Sequence, residues 1–266
     1  MSTQSVLQST NALSYRIAFL TLLRKEVRRF LRIWMQTLLP PLITMGLYFL
    51  IFGYLLGTRI QQVAGIPYVT YIAPGLIMMA IITNAYANVS SSLFSMRFQK
   101  SIEELLVAPI PHILLLLGFV TGGVIRALLV GFLITVLALC FTQIPLSHPG
   151  VLLVIVPSTA ALFSLAGFTN ALFARNFDDI SIIPTFVLTP LTYLGGVFYS
   201  IKILPPFWQT VSLLNPLIHI VNAFRYALLG TSDVVVSHAL IIVLLCCVLL
   251  FGLNLYLLHI GRGIRS

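Results

Sequence analysis

Two bases and two acids gather in Arg97-Phe98-Gln99-Lys100-Ser101-Ile102-Glu103-Glu104-Leu105-Leu106-Val107-Ala108-Pro109-Ile110-Pro111, between long apolar runs of a chain that holds only six acids. Their types and spacing suit recognition rather than bond breaking. Phe98, Ile102, Leu105 and Leu106 fall at i, i+4, i+7 and i+8, one apolar stripe of a helix, and Lys100 and Glu104 form an i, i+4 pair beside it. Pro109 and Pro111 end that helix. A short amphipathic helix at a membrane face is either a solvated connector or a docking element, and the stripe alone admits both.

Other chemistry is poorly served. No Gly-x-x-x-x-Gly-Lys-Ser/Thr occurs, nor any Gly-Lys pair, so the chain offers no such cradle for nucleotide phosphates. His112, His148, His219, His238 and His259 are scattered near the ends of apolar runs, with no His-Glu-x-x-His or triad-like grouping to support an intramembrane hydrolase. Cys140, Cys246 and Cys247 lie inside apolar runs without a His or acid at ligand spacing, which predicts neither a metal site nor a disulfide framework.

The elements that must position these residues follow from composition. Apolar residues make up 59% and charged residues 8% of 266, with a mean hydropathy of +1.05, so the fold class is an all-α integral membrane protein. The net charge of +9 would suggest nucleic acid in a soluble chain. Here the bases sit at the edges of apolar runs and act as topology signals, and no nucleic-acid partner is expected. Met1 to Asn11 is polar and lacks a signal-peptide pattern, so the N-terminus is expected to be kept.

Six runs approach the roughly 20 apolar residues that a span requires: about 36–57, 68–92, 113–140, 151–174, 181–200 and 237–259. Before them, Tyr15, Phe19, Leu22, Leu23, Phe30 and Ile33 share one helical arc, opposite Thr21, Arg24, Lys25, Arg28 and Arg32. That pattern predicts an N-terminal amphipathic interface helix with its cations toward anionic lipid headgroups. Glu26 falls inside the apolar arc and must either find a cation elsewhere in the protein or reach solvent. The division is a cytoplasmic segment over 1–35 and a six-span domain over 36–266.

Loop cations orient the spans. Eleven (Arg16, Arg24, Lys25, Arg28, Arg29, Arg32, Arg97, Lys100, Arg175, Arg262 and Arg265) fall on one side, against Arg59, Lys202 and Arg225 on the other. Both termini and the Arg97 island are therefore expected in the cytoplasm. Arg126 lies near the middle of the third run and must face protein or a cavity, either for an anionic substrate or for structural contact to carbonyls or an acid. Asp178 or Asp179 is expected to cap the fifth run.

Two polar stripes mark the second and fifth runs. Asn84, Asn88, Ser91 and Ser95 share a helical face, as do Thr185, Thr189, Thr192 and Gly196, with Pro184 and Pro190 as kink sites. They are either interhelical hydrogen-bonding groups or the lining of a substrate path at Asn84, Asn88, Thr185 and Thr189. Residues 201–230 stay apolar but are broken by Pro205-Pro206 and Asn215-Pro216, which predicts two short helices, about 206–214 and 216–229, as an outward re-entrant helical hairpin. Small pairs at Gly118/Gly122, Ala160/Ser164 and Gly167/Ala171 allow close helix packing.

Two stretches resemble a known family. Glu103-Glu104-Leu105-Leu106-Val107-Ala108-Pro109-Ile110 is one, and Pro190-Leu191-Thr192-Tyr193-Leu194-Gly195-Gly196-Val197-Phe198-Tyr199 the other, continued by Leu204-Pro205-Pro206-Phe207-Trp208 and Asn215-Pro216-Leu217 with Arg225. They are similar to the membrane-spanning permease subunits of type 2 ABC exporters. The resemblance implies a six-span permease of the bacterial inner membrane that works as a homodimer with two copies of a separate ATPase. ATP and Mg would be bound by that partner, and no cofactor by this chain. It also implies a cytoplasmic coupling helix carrying Phe98, Lys100, Ile102, Glu103, Glu104, Leu105 and Leu106, and a conduit between the two copies. The competing reading is an ion-gradient-driven secondary transporter or channel. Such proteins tend toward internal repeats and mid-membrane acids, and the chain shows neither a repeat nor an acid within a run.

Overall fold

A computed structural model describes residues 3–63, 65–107 and 110–261, with side chains from residue 15 onward except at 58 and 106. The chain begins with α1 (Thr3–Arg32), followed by α2 (Trp34–Thr37) and α3 (Leu39–Tyr48), whose first turn holds Pro40 and Pro41 where no amide donor is needed. A π-helical run over Phe49–Leu56 and α4 (Gly57–Ile60) complete the first apolar element. β1 (Gln62–Val63) and β2 (Ile66–Pro67) then make a small antiparallel hairpin.

The central helix is α5 (Tyr68–Phe98), buried on nearly every face, as expected of a helix that is apolar all round. It packs against α7 (His112–Leu139), α8 (Pro149–Phe173) and α12 (Pro216–Leu229). Small residues set how close these helices come. A Cβ on Gly167 would lie 2.5 Å from the Tyr86 carbonyl oxygen, and one on Gly75 would lie 2.8 Å from the backbone of Val197. α5 is thus gripped backbone to backbone near its start and at its middle.

Between α5 and α7 lies α6 (Ile102–Val107), and after α8 come α9 (Phe177–Ile183), a π turn over Pro184–Leu188 and α10 (Thr189–Tyr193). A 3₁₀ turn (Ile201–Ile203), α11 (Pro206–Leu213), α12 and α13 (Val236–His259) finish the fold. The α11–α12 pair matches the two short helices that the prolines predict, and α12 is almost wholly buried against α5, α8 and α13. The α7–α8 loop closes the end of α12: Ser147 N donates to Leu228 O at 3.2 Å and His148 N to Ala227 O at 2.8 Å.

Among the described residues five helices are long and apolar enough to cross a membrane: Trp34–Leu56, Tyr68–Phe98, His112–Leu139, Pro149–Phe173 and Val236–His259. The run expected as the fifth of six, 181–200, is helical instead over 177–193. Pro184 and Pro190 remove two amide donors from it, the helix widens into a π turn between them, and Gly196 at φ +70° turns the chain away after Tyr193. The helix cap also differs from expectation. Asn176, not Asp178 or Asp179, is the N-cap, and Asp179 completes a capping box as the N3 residue.

Candidate functional site

α1 lies along α7, seated where α7 has no side chain in the way: a Cβ on Gly122 would come 2.7 Å from the Glu26 Cβ. This seat carries Glu26 into complete burial. Its Oε1 accepts from Ser92 Oγ at 2.7 Å and its Oε2 from Arg29 Nη2 at 3.2 Å. The cation is therefore one turn away on the same helix, not on another element as the sequence suggested. Arg29 Nη2 also donates to Asn88, at 3.0 Å to the backbone carbonyl and 2.8 Å to Oδ1. Asn88 Oδ1 is shared with Arg126 Nη1 at 3.5 Å, while Arg126 Nη2 donates to Asn84 Oδ1 at 3.1 Å and Thr37 O at 3.2 Å.

One carboxylate and two guanidiniums thus meet where α1, α5 and α7 converge. Arg126 takes the structural option left open above, with carbonyl oxygens and no acid as its acceptors. Arg29 Nε, Arg126 Nε and Asn88 Nδ2 are buried donors without a partner among the described residues. The arrangement locks α1 to α5 and α7 by charge-assisted bonds. Sequence reasoning singled out Glu26, Asn84, Asn88 and Arg126 but missed Ser92 and Thr37. Ser92 is one position off the polar stripe, and Thr37 contributes a backbone carbonyl that no side-chain pattern signals.

The charged island folds differently from its stripe. α5 continues through Phe98, Lys100 takes φ +58° in the following turn, and α6 starts only at Ile102. Phe98 and Lys100 therefore precede α6, and Lys100 and Glu104 are not an i, i+4 pair on one helix. Ile102 is 2% exposed in a core with Leu93, Leu115 and Phe119, and Leu105 is half-buried on a cavity of about 190 Å³ beside Leu22 and Leu115. These two pack against this chain's own helices. Exposed instead are Phe98 (66%), Glu103, Glu104 and Val107 (87%). The Leu106 side chain, Ala108, Pro109, Arg262 and Arg265 lie outside the described residues.

The island is pinned from behind. Arg97 Nη1 donates to the Ala171 carbonyl and, at 3.2 Å, to the Ala174 carbonyl, satisfying orphan acceptors where α8 ends. Phe98 packs on Phe94 and on Phe177, with ring centroids 6.2 and 5.2 Å away. The turn therefore bears directly on α5, α8 and α9.

The two polar stripes are not joined in one hydrogen-bonded group. Asn84 and Asn88 spend their carboxamide oxygens on arginines, and the open edge of α5 is Ala87 with half-buried Thr83, Ser91 and Ser95. Thr185 is exposed, and Thr189 Oγ1 donates to the Pro184 carbonyl at 2.9 Å across the π turn.

A second buried cation sits near the far end of α5. Arg225, counted above as a loop charge, is 1% exposed: its guanidinium lies 4.0 Å from the Tyr71 ring centroid, and its Nη2 donates to Gly196 O at 2.6 Å. Arg225 Nη1 donates to Asn222 Oδ1 at 3.3 Å, and that oxygen also accepts from Asp233 N at 3.1 Å. Asp233 Oδ2 accepts from Ser200 Oγ at 2.7 Å, and Lys202 Nζ is 3.8 Å from Oδ1. This cluster ties the turn after α10 to α12. The i, i+3 pair Asn222/Arg225 inside an apolar helix, followed by a lone acid, is the signal that could have found it. Among the described residues no group of three His, Cys, Asp or Glu side chains gathers as a metal site.

Comparison with known proteins fits this architecture. Residues 17–229 match the family model described as ABC-2 type transporter. The chain is 51% identical over 252 residues to the inner membrane transport permease YadH of Escherichia coli (strain K12), covering 95% of this chain and 98% of that protein. It is 30% identical over 181 residues to nodulation protein J of Sinorhizobium fredii (strain NBRC 101917 / NGR234), covering 66% of this chain and 68% of that one. With nodulation protein J of Rhizobium meliloti (strain 1021) the identity is 28% over 196 residues, 72% of this chain and 73% of that protein.

Proposed function

The chain belongs to the ABC-2 type transporter family, and from that premise we propose that it is the permease subunit of an ATP-driven exporter of the bacterial inner membrane. It works as a homodimer with two copies of a separate ATPase, which binds the ATP and Mg. Both termini and the Arg97 island face the cytoplasm. The 177–193 segment serves as a sixth crossing, and the α11–α12 hairpin enters the membrane from outside.

The observation that carries this reading is the build of the Arg97–Val107 turn. It exposes an acidic and apolar face, Phe98, Glu103, Glu104 and Val107, and its other side is fixed to α5 and α8 through Arg97 and Ile102. A partner's motion reaches the membrane helices only through contacts that differ between its states, and this turn is tied to the most buried helix of the fold. The substrate path runs along the open edge of α5 beside Asn84 and Asn88 and past Thr185 and Thr189 at the dimer centre.

The test uses the permease reconstituted with its ATPase in sealed vesicles. ATP-dependent flux that is lost on Glu103→Lys with Glu104→Lys, while the permease still inserts and dimerises, is the expected result. Flux driven by an ion gradient without the ATPase would assign the chain to secondary transport instead.

A further inference from the structure

Along the polar side of α1 runs a groove of about 700 Å³ lined by Arg24, Lys25, Arg28, Arg29 and Arg32. We propose that this groove is a discrete binding site for one phosphate-bearing headgroup, with Arg29 as the link between its occupant and the buried network of Glu26, Asn88 and Arg126. It extends the general attraction of a basic helix for an anionic surface to a site with fixed partners and a fixed count, and it holds whether or not the chain exports.

Charge is the first argument. Arg24/Arg28, Lys25/Arg29 and Arg28/Arg32 are like charges at i, i+4, an arrangement that destabilises a helix unless an anion intervenes. The chain supplies none there. Glu26 is the only acid of α1, and it is turned inward onto Ser92 and Arg29; the other five acids are Glu103, Glu104, Asp178, Asp179 and Asp233. Among the described residues the only ion pairs are Arg29–Glu26 and Lys202–Asp233. The bond recorded for Lys25 Nζ is a weak one, to Met96 Sδ at 3.6 Å.

Geometry is the second. All the inward bonds of Arg29 leave from Nη2 and its Nε is buried, so an anion can take Nη1 without breaking them. It would also offset the excess positive charge of two guanidiniums against one carboxylate. Arg24, Arg28 and Arg32 supply planar donor forks that match phosphate oxygens, with Arg29 Nη1 beside them, which favours phosphate over a carboxylate. The groove ends at Ile33, and the next residue, Trp34, is half exposed where the first apolar helix begins. A basic cluster at that junction lies at headgroup height.

The test follows thermal unfolding of the full chain in a zwitterionic detergent by tryptophan fluorescence. It is titrated separately with short-chain phosphatidylglycerol, short-chain phosphatidylcholine and inorganic phosphate. The expected result is a saturable rise in Tm with phosphatidylglycerol and none with phosphatidylcholine. Saturation by inorganic phosphate as well would identify a soluble phosphate compound as an occupant of the same site; its absence would identify a lipid headgroup. Arg28→Gln with Arg32→Gln, which leaves the buried network whole, should weaken half-saturation by about tenfold or more through the loss of two charge-assisted contacts. Arg16→Gln, an exposed cation of the same helix outside the groove, should leave it unchanged. No saturation with either phosphate compound, or an equal effect of Arg16→Gln and the groove variant, overturns the proposal.

Discussion

Arg29 donates from a single nitrogen to both oxygens that Asn88 presents, the backbone carbonyl at 3.0 Å and the carboxamide at 2.8 Å. A helix bound only by its apolar stripe could slide along the membrane face. This one is indexed to a particular residue of the central helix, and Asn88 passes the constraint on to Arg126.

Glu26 ties the same helix to Ser92 of α5. Glu26→Ala should destabilise the protein by about 1–3 kcal/mol, the cost of leaving the buried Ser92 hydroxyl without its acceptor. Glu26→Gln, which can still accept from Ser92, should lose less. A fluorescence-monitored melt of the detergent-solubilised permease ranks the three proteins, and an unchanged Tm for the alanine variant would mean that α1 is held by packing alone.

For Arg126 the prediction is set by its acceptors. Arg126→Leu leaves Asn84 Oδ1 and Thr37 O buried without a donor, at about 1–3 kcal/mol each. Arg126→Lys keeps the charge but reaches fewer of the three oxygens, so an intermediate Tm is expected. A leucine variant as stable as the parent would move Arg126 from a structural role to the service of an anionic substrate.

At the island, burial separates folding from docking. Ile102→Ala should cost about 2–5 kcal/mol of stability as a core truncation. Val107→Asp, at an exposed position, should change stability by no more than about 0.5 kcal/mol yet depress permease-stimulated ATP turnover. If the aspartate variant assembles and turns over normally, the exposed face of α6 is not where the ATPase docks.

Topology is open to a direct check. With Cys140, Cys246 and Cys247 replaced, single cysteines at Lys100 and Thr210, both exposed, should react with an impermeant maleimide from opposite sides of the membrane. Reaction of both from one side would exclude the arrangement of five long helices plus the 177–193 crossing.

Most of the helices were legible because lipid demands long uninterrupted apolar runs, and the α11–α12 boundaries because proline allows few places for a helix to stop. The fifth run misled. Its composition is apolar to Ser200, but Pro184 and Pro190 shorten the helix through donors they lack, which hydropathy does not register. Arg225 read as a loop charge because a cation under the Tyr71 ring looks, in sequence, like one facing water. The stripe at the Arg97 island is split between α5 and α6. Periodicity finds the apolar face of a helix without saying whether its own protein or another covers that face, and in α6 Ile102 and Leu105 are covered from within.

The near-contact of Gly167 with the Tyr86 carbonyl divides the molecule into stiff and compliant parts. Two backbones that meet without side chains between them have nothing to compress or re-rotamer, so α5 and α8 must travel as a single beam. The first apolar element and α13 present mostly exposed side chains and carry few such constraints. Any shape change during a working cycle is thereby displaced to the rim, where the π-helical turns at Phe49–Leu56 and Pro184–Leu188 offer the slack, and the beam sets the distance over which that slack is taken up.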